Sequence, residues 1–317
     1  LVIPKHLLGE NELVLENANA EKIVTETWAN EEATAYYSAL TGIDEAYYNT
    51  PLIARSYMKT ADNVVYYTIS AERSLGYVAV MALDSGEESK LIEGIAAKTD
   101  ITLDLSATDL KLNSDQSTAE LTATASVGGI AYTPATIVWE SSKEDVVSVE
   151  NGALQALKEG EATITAKFTL NGEEKSAECK VTVKDEIVLE ISGGGDVYLN
   201  DTDAKKSLTL SVDKLTVNGK EENASGIKWS ATTTTYDCVE NKAWTTKTLS
   251  HVSIENGVVT GENGGKTTVT AEYNTKFGKA TATQEVTVIT RVLTSDDANT
   301  KAGSSLESKW GQLSRFF

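Results

Sequence analysis

Apolar and polar residues alternate through long stretches of this chain. Leu121, Ala123, Ala125 and Val127 alternate with Thr122, Thr124 and Ser126, and Ile164, Ala166, Phe168 and Leu170 with Thr165, Lys167 and Thr169. A period of two with one apolar face predicts half-buried antiparallel strands. Asn151 followed by Gly152, and Asn171 followed by Gly172, predict hairpin turns, because both residue types tolerate positive φ. Strands at short intervals joined by such turns predict a β-sandwich over residues 100–185.

The same phrase then returns. Trp139-Glu-Ser-Ser, Val146-Val-Ser-Val-Glu-Asn-Gly and Gly160-Glu-Ala-Thr-Ile-Thr-Ala reappear as Trp229-Ser-Ala-Thr, His251-Val-Ser-Ile-Glu-Asn-Gly and Gly265-Lys-Thr-Thr-Val-Thr-Ala. Asn151 to Gly160 and Asn256 to Gly265 are both nine positions, and Ala166 to Val183 and Ala271 to Val288 are both seventeen. Two conserved spacings predict a tandem repeat of one module, with the second copy over 186–290. The join is only a residue or two, around 184–186, short enough to hold the modules end to end. The copies disagree in one place. Trp139 to Asn151 is 12 positions and Trp229 to Asn256 is 27, so about 15 extra residues lie within 231–250.

Residues 1–99 follow a different pattern and predict a small β-rich or α+β domain. Residues 54–58 and 64–69 read as strands around a turn at Ala61, Asp62 and Asn63. Leu75, Val78, Ala79 and Ala82 fall at helical spacing behind Ser74, a possible N-cap, and predict a short helix over 73–83. A weaker helical pattern covers 87–97. Residues 291–317 show no period and read as a tail or the start of a further domain. With no closing element at Phe317, the whole reads as a fragment.

Composition narrows the function. A net charge of −19 argues against a nucleic-acid backbone or an anionic lipid surface as partner. No apolar run is long enough for a membrane span. With only two His, in different modules, and no nucleophile or metal-site motif, the sequence argues against an enzyme and asks for no cofactor. Cys179 shares parity with Val181 and Val183 and should face a core. Its pairing with Cys238, in the other module, is not expected. Gly193, Gly194 and Gly195 lack the Lys-Ser/Thr of a phosphate loop and read as a strand kink or bulge.

The repeated phrase resembles the bacterial immunoglobulin-like domain of group 2, found in bacterial surface proteins and intimin-type adhesins. The matching residues are Leu103 and Leu105, Trp139, Val147, Val149, Asn151 and Gly152, and Gly160 to Ala166. In the second copy they are Leu189 and Ile191, Trp229, Val252, Ile254, Asn256 and Gly257, and Gly265 to Ala271. The resemblance implies Ig-like sandwiches and an extracellular or cell-surface setting in bacteria. It implies no catalytic residues.

Trp139 and Trp229 sit at matched positions and are expected in the cores. Tyr236 and Trp244 lie in the insertion among threonines. They either fold back to cap the sandwich or stack on a sugar ring through their π faces. Asp196, Asp201 and Asp203 are calcium candidates, as are Asp100, Asp104 and Asp185 near module edges, although their spacing is not that of an EF-hand. Lys167, Lys175 and Lys180 are candidate edge-protecting charges. The expected role is a non-catalytic surface-protein fragment whose sandwiches are spacer and adhesion modules, with a surface glycan or a host or cell-wall protein as partner. The rival readings are accessory modules of a polysaccharide-active surface enzyme, or a carbohydrate-binding module centred on Tyr236 and Trp244.

Overall fold

The computed structural model describes residues 1–8, 12–15, 24, 28–29, 31, 36–38, 40–199, 205–240 and 243–290. The chain divides into two compact units, Leu1–Leu112 with Gln116–Val183, and Asn113–Asp115 with Lys184–Phe317. The architecture is mainly β: two tandem sandwiches, preceded by a small sheet and helices.

The first unit opens with an antiparallel sheet ordered Val2–Pro4, Leu52–Ala54, Ala71–Arg73. A hairpin of Tyr57–Lys59 and Val65–Tyr67 turns near Asn63, which takes φ 63°. One hairpin therefore falls where a turn at 61–63 predicts it, while Leu52–Ala54 belongs to the neighbouring sheet. The helix Leu75–Asp84 begins at Ser74, whose Oγ accepts from the Tyr77 N–H at 3.1 Å. That bond satisfies one of the N–H groups every helix start leaves open. The second, weaker helical pattern is the helix Lys90–Ala96.

The first sandwich faces a four-stranded sheet, ordered Val138–Ser141, Gly160–Leu170, Glu173–Val183, Asp109–Leu112, against a three-stranded one, ordered Ile130–Tyr132, Ala123–Val127, Ile101–Leu105. Alternate residues of the two inner faces make the core: Leu103, Ala125 and Val127 from one, Ala166, Phe168 and Leu170 from the other. Val80 of the helix Leu75–Asp84 is buried in the same cluster. The Asn171 side chain donates to the Val80 carbonyl at 2.9 Å, tying a hairpin tip to that helix. Trp139 packs half-buried against this core, and Cys179 is buried.

The second sandwich repeats the plan. Its four-stranded sheet runs Gly195–Leu199, Gly278–Thr290, Gly265–Thr275, Lys228–Ala231, and its facing sheet Ile187–Ser192, Ser211–Val217, Lys220–Glu221. Val197, Leu210, Val259, Val269 and Val286 form the core, with Trp229 packed against it as Trp139 is in the first copy. Asn151, Asn171 and Asn256 all take positive φ, as their turns require.

The three glycines mark a strand switch. The chain leaves one sheet at Ser192 and enters the other at Gly195. Gly193 has φ +86°, and a Cβ there would sit 2.6 Å from the Thr209 carbonyl oxygen. A side chain at that corner meets backbone that has no room to move.

Lys167 and Lys180 sit on inner strands of their sheet, not on an edge. Their reason is cross-strand pairing: Lys167 Nζ lies 2.8 Å from Glu140 and Lys180 Nζ 3.3 Å from Glu161. Lys175, which pairs with Glu173, lies on the part of its strand beyond Asp109–Leu112, where among the described residues no outer strand pairs, and it is an edge charge as expected.

Candidate functional site

Two features of this fold can do work: the pairing of terminal strands, and the insertion in the second sandwich. In the first sandwich, Ile101–Leu105 pairs antiparallel with Ala123–Val127. The chain then crosses over, and Asp109–Leu112 pairs parallel with the last strand, Lys180 opposite Asp109 through Val183 opposite Leu112. The Lys180 N–H donates to the Thr108 carbonyl at 2.8 Å. The second sandwich does the same, with Gly195–Leu199 parallel to the end of Gly278–Thr290. A parallel pair of second and last strands has a mechanical consequence. Tension drawn through the two chain ends slides the strands past each other. Their bonds are then loaded together in shear, not opened one by one.

The insertion is a β-arm, Thr233–Glu240 paired antiparallel with Ala243–Ser250 over eight residue pairs. At the rise of a strand it reaches roughly 25 Å. Among the described residues, no third strand joins it. Its legs spring from different sheets, one continuing Lys228–Ala231 and the other leading into Val252–Glu255.

The arm's base is fixed by side-chain bonds. The Thr267 hydroxyl donates to the Thr232 carbonyl at 2.9 Å, and Thr232 Oγ1 accepts from the Thr268 N–H at 3.0 Å. On the other leg, Asn263 Nδ2 donates to the Ser250 carbonyl at 2.7 Å. Between the legs, His251 is 8% exposed, with Nε2 2.9 Å from Thr234 Oγ1 and Nδ1 3.2 Å from the Asn263 carbonyl oxygen. A carbonyl only accepts, so Nδ1 carries a proton; in the neutral ring Nε2 accepts from the Thr234 hydroxyl. Gly265 lets the ring sit there, since a Cβ would come within 2.4 Å of it. Reading the sequence alone passes over His251. The signal is the repeat itself, because the matching residue in the first copy is Val146, where no arm exists.

The structure does not bring Tyr236 and Trp244 together. Tyr236 is opposite Lys247 and Trp244 opposite Val239, which places them on opposite faces of the arm. Tyr236 is 43% exposed and shares its face with Cys238, Thr245, Lys247 and Leu249. Trp244 is 77% exposed and shares its face with Thr235, Asp237, Thr246 and Thr248. The Thr246 hydroxyl donates to Asp237 Oδ1 at 2.6 Å.

The aspartates separate. Asp201 and Asp203 lie outside the described residues. Asp196 is exposed on its strand, and its charge helps hold the Lys266 ammonium above the usual lysine range, after the larger effect of Glu285. Asp100 and Asp104 are exposed. Asp185, in contrast, is 2% exposed. Its Oδ1 accepts from the Ser114 N–H at 2.7 Å and from Asn218 Nδ2 at 3.0 Å, all within the second unit. Burial pushes this carboxyl up, but the donors around it, Thr275, Ser114 and Asn218, outweigh burial and hold it below its usual value. Among the described residues no group of three or more His, Cys, Asp or Glu is placed to hold a metal ion, and no helix is long and apolar enough to cross a membrane.

No protein-family model matches the chain, and no curated protein sequence matches it significantly. Solved structures with similarity include domains 4 and 5 of the S-layer protein SbsC, at 16% identity and TM-score 0.23, covering 60% of this chain and 98% of that one. A SusE-like surface-located polysaccharide-binding protein from the Bacteroides thetaiotaomicron heparin utilisation locus is similar at 9% identity and TM-score 0.24, covering 78% of this chain and 44% of that one. Immunoglobulin domains 1–4 of Sidekick-1 give 10% identity and TM-score 0.24, covering 81% and 63%. At these TM-scores the likeness carries nothing on what this chain does.

Proposed function

We propose that this chain is a non-catalytic piece of a bacterial surface protein, built of group 2 Ig-like modules. In it the two sandwiches are spacers that bear tension and the arm is the contact surface. The observation that supports this best is the parallel pairing of the second strand with the last in both copies. It is the arrangement a module needs if load enters at one chain end and leaves at the other. The repeat supports it too: matched residues are core and turn, and the outer faces are left free to vary.

The arm favours a second reading, accessory modules that hold a polysaccharide-active surface enzyme on its substrate. Both readings use the sandwiches as spacers, and the full-length gene separates them by the presence of a catalytic domain. The spacer role is tested by pulling geometry. Force applied through the chain ends is expected to meet a high unfolding peak for each sandwich. Force applied through cysteine handles placed at the exposed Glu150 and Glu174 of the first sandwich does not load the parallel pair in that way and is expected to meet a lower one. Equal peaks in both geometries would count against the reading.

A further inference from the structure

We propose that the face of the arm carrying Trp244 is a binding site for a neutral saccharide, built on Trp244 and Asp237 and independent of Tyr236. It rests on the reading of the arm as contact surface and adds the ligand class and the residues.

Trp244 is anomalous for a surface residue. Single apolar residues on a surface are ordinary, but an indole left 77% in water holds a large apolar plane away from every core. The first sandwich has no counterpart, because the whole arm is missing there. The pleat sorts the arm's residues. Thr245, Lys247 and Leu249 are half-buried, whereas Trp244, Thr246 and Thr248 are exposed. Thr234 and Tyr236 of the other face are exposed too, but along Ala243–Ser250 the Trp244 face is the more open one.

Its polar groups complement the indole. Asp237 is opposite Thr246, two residues along the strand from Trp244. Neighbours on one face are about 7 Å apart along a strand and about 5 Å across a pair. The Thr246 hydroxyl fixes one carboxylate oxygen at 2.6 Å. The second oxygen is then positioned to accept from a ligand, with the Thr248 and Thr235 hydroxyls beyond it on the same face. A flat apolar plane next to a fixed acceptor and hydroxyls matches a pyranose, which offers a C–H face to the ring and hydroxyl donors at its rim.

Charge selects within saccharides. The face presents a carboxylate, Lys247 lies on the opposite face, and the chain carries −19 overall. A uronate or sulfated glycan would meet repulsion there, so the fitting ligand is uncharged.

The test is native affinity electrophoresis of the whole chain in gels containing mannan, galactomannan, xyloglucan or β-1,3-glucan, with polygalacturonate as the anionic counterpart. At least one neutral polysaccharide is expected to retard the chain, and polygalacturonate is not. Trp244→Ala should weaken that retardation about tenfold or more. Asp237→Ala should weaken it also, and Tyr236→Ala should migrate as wild type. Melting curves of the variants show that they are folded. The proposal is overturned if no neutral polysaccharide retards the chain, if Trp244→Ala binds as well as wild type, if Tyr236→Ala fails equally, or if only the anionic polymer retards it. A concentration-dependent dimer in sedimentation, without retardation by any polysaccharide, would overturn it in favour of strand pairing along the arm's edge. The spacer reading stands or falls separately, since the unfolding peaks of the sandwiches do not depend on Trp244.

Discussion

The imidazole of His251 joins the arm to the body of the second sandwich, its Nε2 2.9 Å from the Thr234 hydroxyl and its Nδ1 3.2 Å from the Asn263 carbonyl oxygen. Val146, at the same place in the first copy, has an apolar side chain with no donor or acceptor to tie down an arm. His251→Val should therefore keep the sandwich folded but release the arm. Thr234 is exposed and Asn263 half-buried, so the lost bonds cost about 0.5–1.5 kcal/mol. Limited proteolysis should cut the variant faster within 233–250 than wild type, with a modest fall in melting temperature. Equal cleavage rates would show that His251 does not hold the arm.

Asp185 makes stability depend on acid. Its carboxyl is held below its usual value in the folded chain by hydrogen bonds that outweigh burial. A depressed group stabilises fully above its unfolded pKa, near 3.9, and that contribution is lost as pH falls through the folded value. Melting temperature should therefore be lowered in Asp185→Asn at pH 7, and the gap to wild type should close below about pH 4. A gap that stays constant from pH 7 to pH 3 would assign the effect to packing alone.

The two Asn-Gly turns of the repeat differ in how tightly they are enclosed. A Cβ at Gly152 would lie 2.2 Å from the Leu121 carbonyl oxygen, and one at Gly257 2.8 Å from that of Leu210. Both glycines take left-handed φ, +87° and +81°. Gly152→Ala should cost about 1–3 kcal/mol and Gly257→Ala less, read as separate shifts in chemical denaturation. The reverse order would mean that the turn at 257 is the more constrained.

Val80 ties the N-terminal helix into the first sandwich's core. Val80→Ala should destabilise the first sandwich by about 1–3 kcal/mol although the residue lies outside the repeat. Loss of helix signal without any change in the sandwich's unfolding would contradict a shared core.

How much of this was legible from the chain depends on range. Alternation around Leu121 and Ile164, the turns at Asn151 and Asn256, the cap at Ser74 and the buried Cys179 follow from neighbours in sequence, and the structure places them as the pattern predicts. The parallel pairing of Asp109–Leu112 with Lys180–Val183 joins residues some seventy positions apart, and nothing local marks it. The glycine run reads as a kink, but only the sheets it joins show that it is a crossing. The arm shows the limit best. Tyr236 and Trp244 have the same parity, which on one strand means one face. Across the hairpin, pairing Val239 with Trp244 sends them to opposite faces. Which residues pair depends on how the arm turns between 240 and 243, and composition does not carry that.

Single-molecule extension of the whole chain decides whether the parallel pairs Asp109–Leu112 with Lys180–Val183 and Gly195–Leu199 with Val286–Thr290 bear load. Lys180 donates its N–H to Thr108 across the parallel pair, so Lys180→Pro removes a clamp bond in the first sandwich and leaves the second untouched. Wild type should show two high unfolding peaks, and the variant one high and one markedly lower. Two peaks unchanged by Lys180→Pro, or sandwiches that extend without resistance in wild type, would rule out a load-bearing strand pair.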